Sequence, residues 1–287
     1  MNIDFATYIL NKRNNLGLTQ KEFSELIGLK DGGERTVSGW ERGEHKPSPS
    51  KWKVIEELRT NIPFKQNNEE NSFRFIDLFA GIGGIRLPFQ EFGGECVFTS
   101  EWDKFAKKTY ASNFGELPTG DITSISSESI PEHDLLLGGF PCQAFSQAGL
   151  RQGFSDTRGT LFFEIQRILV KRRPKAFLLE NVKQLKGHDK GKTLKTIIDI
   201  LTGNNDISIP SDAPISDEAR LCLSEKLNYA VDYRVLKATN FGVPQNRERV
   251  YLIGFDRDQY PNIDLDKELH KIFCSLESKS SETRLGD

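Results

Sequence analysis

Phe73-Arg74-Phe75-Ile76-Asp77-Leu78-Phe79 runs directly into Ala80-Gly81-Ile82-Gly83-Gly84, and this junction sets the architecture. The first seven residues are aromatic and β-branched, as a buried strand requires. An amphipathic stretch with Ile85, Leu87, Phe89 and Phe92 follows the glycines as a helix. Cys96-Val97-Phe98-Thr99-Ser100 is the next strand, ending at Glu101. A strand-helix-strand unit with a glycine-rich first turn predicts a doubly wound, mostly parallel α/β sheet. A plain tight turn explains the glycines about equally well. Glu101, however, stands 20 residues after Gly81, where a carboxylate accepts hydrogen bonds from ribose hydroxyls. Gly81, Gly83 and Glu101 together point to an adenosine-containing cofactor.

Further along, polar residues recur at strand ends. Leu135-Leu136-Leu137 leads into Gly138-Gly139-Phe140-Pro141-Cys142, where proline fixes the backbone before the thiol. Gly120-Asp121-Ile122 places Asp121 near the same edge. Ala176-Phe177-Leu178-Leu179 ends in Glu180-Asn181-Val182, and Gln245-Asn246-Arg247-Glu248-Arg249 feeds Val250-Tyr251-Leu252-Ile253-Gly254-Phe255. Each alone reads equally as surface charge, or as a core cysteine. Gathered on one sheet edge, they read as a reaction site.

A cysteine nucleophile usually works with histidine. The four histidines, His45, His133, His188 and His270, lie outside these motifs, so a hydrolase is poorly supported. The set suits addition of a thiolate to C6 of cytosine, which makes C5 nucleophilic toward a methyl donor. Cys142 would attack, and Glu180 would donate a proton at N3. Arg249 would hold the O2 side, while Arg247 would steady the loop and favour the thiolate.

Residues 1–58 read as short helices. Phe5, Ile9 and Leu10 mark the first, and Thr19-Gln20-Lys21-Glu22 is a capping box opening a second, with Phe23, Leu26 and Ile27, that stops at Gly28. After a polar turn, Val37 and Trp40 face inward and leave Arg35, Thr36, Ser38 and Arg42 free. Ser50 is expected to cap a last helix carrying Trp52, Ile55 and Leu58. This is a helix-turn-helix pattern. With 10 Lys+Arg against 9 Asp+Glu over residues 1–60, charge does not decide between DNA binding and simple packing.

Residues 60–72 lack an apolar period and read as a linker, and Thr202 to Ser216 reads as a surface insertion. The chain's 287 residues therefore divide as 1–59, 60–72 and 73–287. No apolar run is long enough for a membrane span, and Met1-Asn2-Ile3-Asp4 lacks signal-peptide character. Four scattered cysteines give no metal or disulfide framework and suggest a reducing cytoplasm.

Residues 73–255 resemble the cytosine-C5 DNA methyltransferases of bacterial restriction–modification systems. The motifs occur in order from Asp77-Leu78-Phe79-Ala80-Gly81-Ile82-Gly83-Gly84 through Gly139-Phe140-Pro141-Cys142-Gln143 and Asp156-Thr157-Arg158-Gly159-Thr160-Leu161-Phe162-Phe163 to the arginine motif. Residues 1–58 resemble the lambda-repressor-like (Xre-type) domains through Leu18-Thr19-Gln20-Lys21-Glu22-Phe23 and Trp40-Glu41-Arg42-Gly43, although the turn is longer than usual there. The resemblance implies a Rossmann-like methyltransferase fold behind an all-α DNA-binding domain, with S-adenosylmethionine as cofactor. Phe79, Glu101, Trp102, Asp121, Ile122, Pro141 and Leu161 would line its pocket. Trp102 would stack on adenine, and Asp121 would accept from the adenine amino group. The loop from Gln143 to Arg158, including Ser146, would close over a cytosine flipped from double-stranded DNA.

The family continues with a target-recognition region and a Gly-Asn-Ser motif, neither found before Asp287. The expectation is a split-enzyme subunit, truncated gene or fragment. Its partners would be a separately encoded subunit carrying the recognition region and a cognate restriction endonuclease. The competing function is a helix-turn-helix transcriptional regulator with an inactive methyltransferase domain. A tRNA methylase is disfavoured by the helix-turn-helix block.

Overall fold

A computed structural model describes residues 4–58, 62–64, 66, 72–141, 160–204, 213 and 215–278. Cys142, Ser146 and the rest of the expected closing loop lie outside these residues.

Four helices open the chain: α1 (Phe5–Asn15), α2 (Gln20–Leu26), α3 (Gly33–Glu41) and α4 (Pro49–Glu57). They enclose Ile9, Phe23, Ile27, Val37, Trp40 and Ile55, which the helical spacing turns inward. The capping box forms: the Thr19 hydroxyl accepts from Glu22 N, and the Glu22 carboxylate accepts from Thr19 N. The last helix is capped by Ser48 rather than Ser50, because Pro49 supplies the preset first turn.

The remaining elements build one sheet. They are β1 (Phe73–Leu78), α5 (Arg86–Glu91), β2 (Gly94–Ser100), α6 (Lys104–Phe114), β3 (Leu135–Gly139), α7 (Leu161–Arg172), β4 (Ala176–Val182), α8 (Lys192–Leu201), α9 (Asp217–Leu221), β5 (Tyr229–Lys237), β6 (Glu248–Asp256) and α10 (Leu265–Ser278). Strand order is β2-β1-β3-β4-β6-β5. The first four strands are parallel, and β6 and β5 close the edge antiparallel. The order reverses at β1, with β2 on one side and β3 on the other. That switch point opens a crevice beyond the strand ends.

Both sheet faces are covered, as a parallel sheet demands. Ile76, Leu136, Phe177 and Leu252 join Phe162, Ile165 and Leu169 of α7 on one face. Phe75, Cys96 and Leu137 pack with Ile85 and Phe89 on the other. Phe92, expected to complete the apolar stripe of α5, is exposed, because that helix ends at Glu91. The end of the expected surface insertion turns inward: Ala213 is buried, and Ser216 donates to Glu164.

The described residues of the expected linker are strapped onto the sheet region. Phe64 N donates to Asn113 O at 3.0 Å. The Gln66 side-chain oxygen accepts from Cys96 N at 3.1 Å and from Arg86. The N-terminal helices also dock on α6. Gly17 has φ +63°, and a Cβ there would stand 2.9 Å from Lys108 Cα. Glu22 forms an ion pair with Lys108 beside it.

Candidate active site

A cavity of about 240 Å³ opens at the carboxyl ends of β1, β2 and β3. β1 delivers Phe79, whose backbone sits at φ 55°, a left-handed conformation that a bulky residue keeps only when its surroundings enforce it. β2 delivers Ser100, Glu101 and Trp102. The segment before β3 contributes Gly120, Asp121 and Ile122, and β3 itself leads to Gly139 and Pro141. Leu161, at the start of α7, closes the far side.

Glu101 is buried and held from two directions. One carboxylate oxygen accepts from Gly81 N and the other from Asp103 N, both at 2.8 Å. The sequence spacing of 20 is thus a direct contact in the fold. Each oxygen accepts one of these bonds and, as a carboxylate oxygen, has the capacity to accept a second, which a pair of vicinal hydroxyls would need. The Trp102 ring is 75% exposed at the rim, an aromatic face open for stacking. Asp121 caps a short 3₁₀ turn, one oxygen accepting from Thr123 N at 3.0 Å. A Cβ at Gly120 would meet nothing within 4 Å, so the wall beside Asp121 stands clear. An acid for hydroxyls, a ring for stacking, an acid for an amino group and apolar Phe79, Ile122 and Leu161 together fit an adenosine-bearing cofactor.

Phe79, Glu101, Trp102, Asp121, Ile122, Pro141 and Leu161 all line this cavity, whereas Gly81 and Gly83 do not. Gly81 contributes its amide to Glu101. A Cβ on Gly83 would lie 2.0 Å from the Phe114 ring, so this glycine admits α6 against the first turn. Ser100, Gly120 and Gly139 were not singled out by sequence. Ser100 and Gly120 are immediate neighbours of Glu101 and Asp121, and Gly139 stands two residues before Pro141, which is the signal that finds them.

Next to the cavity stands Glu180, with 15% of its side chain exposed. In the sheet Gly139 pairs with Glu180, and Glu180 with Tyr251. Glu180 Oε2 lies 3.8 Å from where a Cβ on Gly139 would sit, so carboxylate and cavity adjoin across one glycine. Glu180 Oε1 forms an ion pair with Arg249 Nε at 2.9 Å and accepts from Arg247 Nη2 at 3.4 Å. Both arginines therefore converge on the carboxylate, a pairing that the sequence reading, with Arg249 at the O2 side of the ring and Arg247 steadying the loop, did not include.

Asn181 is a contributor that sequence reasoning quoted without a role. Fully buried, it donates to the Phe140 carbonyl at 2.9 Å and accepts from Val182 N at 2.8 Å. It thereby fixes the Phe140-Pro141 peptide that leads to Cys142.

In the N-terminal helices Arg35 is exposed, and Thr36 and Ser38 are half-buried on the same helix. Arg42 is not free as expected. It donates to Ser38 Oγ at 2.6 Å and to both oxygens of Glu44 at 2.6 and 3.0 Å. An acid two residues away in the following turn captures it.

The family model for C-5 cytosine-specific DNA methylase matches residues 73–205 and 222–286, and that for a helix-turn-helix matches residues 9–58. Type II methyltransferase M.SsoII of Shigella sonnei is 46% identical over 288 residues, covering 100% of this chain and 68% of the relative. M1.ScrFI of Lactococcus lactis subsp. cremoris is 49% identical over 260 residues, covering 90% of this chain and 61% of that protein. The S. pombe Dnmt2 methyltransferase structure aligns with a TM-score of 0.46 at 23% identity, over 64% of this chain and 50% of that one. The chain thus spans between half and about two thirds of the length of these proteins. It belongs to the C-5 cytosine-specific DNA methylase family, with a helix-turn-helix segment ahead of the methylase region.

Proposed function

We propose that this chain carries the cofactor-binding and catalytic part of a type II DNA (cytosine-5-)-methyltransferase that uses S-adenosylmethionine. One observation carries this most directly: a cavity with Glu101, Trp102 and Asp121 on its walls adjoins Glu180 across Gly139. When bound, S-adenosylmethionine supplies an electrophilic methyl group. Glu101 would hold the ribose hydroxyls, Trp102 would cover the adenine face, and Asp121 would accept from its amino group.

Cys142, which lies just past Pro141 and outside the described residues, would add as thiolate to C6 of an extruded cytosine. Glu180 would protonate N3 as charge develops there. Arg249 and Arg247, both within reach of Glu180, would orient that carboxyl group and balance its charge. Methyl transfer to C5, loss of the C5 proton and expulsion of the thiolate then complete the cycle. Gly81 and Gly83 support the pocket through Glu101 and α6. Arg35, Thr36 and Ser38, with Arg42 braced behind Ser38, would face duplex DNA, and Ser146 would meet it from the loop after Cys142. Target choice would come from a recognition region joined in cis or supplied by a separate polypeptide, with a cognate endonuclease as the system's other enzyme. Its work would lie in the cytoplasm.

Trapping tests this. With the recognition region present, duplex DNA carrying 5-fluorocytosine and S-adenosylmethionine should yield a covalent adduct that Cys142→Ser abolishes. An adduct surviving that substitution overturns the assignment.

A further inference from the structure

We propose that Arg167 is a positioning residue that sets the adenine side of the cofactor slot, an inference that rests on the cofactor reading above. Arg167 lies on α7, lines no part of the cavity and is fully buried. Its guanidinium is satisfied from every side. Nη2 donates to the carbonyls of Ile122 and Ile125, both at 2.7 Å. Nη1 donates to Ser127 Oγ at 2.7 Å and to Glu218 Oε2 at 3.0 Å, and Nε donates to Glu164 Oε2 at 2.6 Å.

These partners come from both walls of the slot. Ile122 and Ile125 belong to the turn that Asp121 caps, so anchoring their carbonyls fixes the direction of the Asp121 carboxylate. Leu161 begins the helix that carries Arg167. The guanidinium is therefore a rigid tie between the Leu161 wall and the Asp121-Ile122 wall. Glu164, itself buried, extends the tie by accepting from Ser216 N at 3.0 Å. Packing alone would be served by an apolar side chain, since a buried charge must recover its lost hydration through partners. A planar fork of five donors can span two carbonyls, a hydroxyl and two acids at once, whereas the three donors of a lysine cannot.

The test separates positioning from general stability. Isothermal titration of the full chain with S-adenosyl-L-homocysteine and with its deaminated counterpart, S-inosyl-L-homocysteine, reads recognition of the adenine amino group. One hydrogen bond to a charged acceptor should favour the adenosyl ligand by about tenfold to hundredfold. In Arg167→Lys the preference should fall below about threefold as Asp121 loses its fixed direction. Glu218→Gln, a change at a partly exposed partner, should give an intermediate preference and serves where Arg167→Lys does not fold. Arg173→Lys disturbs a different ion pair, with Asp256 and Asp258, and should keep the wild-type preference. Wild-type preference in both Arg167→Lys and Glu218→Gln overturns the positioning role while leaving the cofactor reading standing. Its loss in Arg173→Lys as well shows general loosening and also overturns the role. A wild-type chain that binds neither ligand, or both alike, overturns the cofactor reading itself.

Discussion

Replacing Asp77 by asparagine should flatten the pH dependence of stability. Asp77 lies in β1 between Thr99 of β2 and Leu137 of β3 and is fully enclosed. Its Oδ2 is buried without a hydrogen-bond partner, as is the Oγ1 of Thr99 across the strand pair. Burial raises the carboxyl; Arg86 opposes the shift and the Glu101 charge adds to it, leaving the group at about 7 against an ordinary 3.8. A carboxyl that holds its proton more tightly when folded adds stability that is complete below about pH 4 and is lost as pH rises through about 7. At about 1.4 kcal/mol per unit the whole loss is about 4 kcal/mol, of which about 2–3 kcal/mol falls between about pH 5 and pH 8. Asparagine has no charge to desolvate. Urea denaturation followed by far-ultraviolet circular dichroism should therefore show the wild type losing about 2–3 kcal/mol relative to Asp77→Asn over that interval. Parallel pH profiles for the two proteins would refute a buried carboxyl titrating near neutrality.

Three further outcomes follow from the geometry. Glu180→Gln should lower turnover by about 10²–10⁴-fold in a tritiated-methyl transfer assay while cofactor affinity stays level, since general acid catalysis is the role proposed for it. Gly17→Ala should cost about 1–2 kcal/mol at its left-handed backbone, besides the contact with Lys108, and raise hydrogen exchange at residues 108–111 of α6. Arg35→Ala should weaken duplex binding and reduce the slope of log K against log salt by about one, whereas Arg42→Ala should do less because Glu44 already holds that side chain.

The sheet was legible because β1 and β2 are rich in aromatic and β-branched residues, because β3 and β4 open on apolar runs, and because Glu101 stands at the spacing that gives the first-turn glycines a meaning. The cavity residues were legible because Phe79, Glu101, Asp121 and Pro141 each follow or flank a strand signal. What escaped depends on contacts between distant segments. Arg167 reads as one more charge on an amphipathic helix, and only the fold brings Ile122, Ser127 and Glu218 around it. Strand β5 escaped too, since its polar Asp232 and Arg234 interrupt the apolar run and pair with each other. Gln66 looked like linker polarity, yet its amide oxygen closes the β2 edge through Cys96 N.

Helix α6 explains why some residues that signal a ligand in the sequence are also structural. Glu101 binds Gly81 N with one oxygen and Asp103 N with the other, and Asp103 caps α6. The carboxylate that would meet the ribose therefore also sets where α6 begins. At the other end of the helix the Phe114 ring fills the space that Gly83 leaves by lacking a Cβ. Between them, Lys108 and Ala111 carry the N-terminal helices through Glu22 and Gly17. Lys108 and Thr19 hold the Glu22 carboxyl at about 2, so its charge, and any stability from this exposed pair, is lost only as pH falls from about 4.5 through about 2. Near neutrality the Glu22 carboxylate keeps its charge. The helix that starts beside Trp102 is thus the one on which the helix-turn-helix rides, and α6 fixes where α3 lies relative to the cofactor cavity.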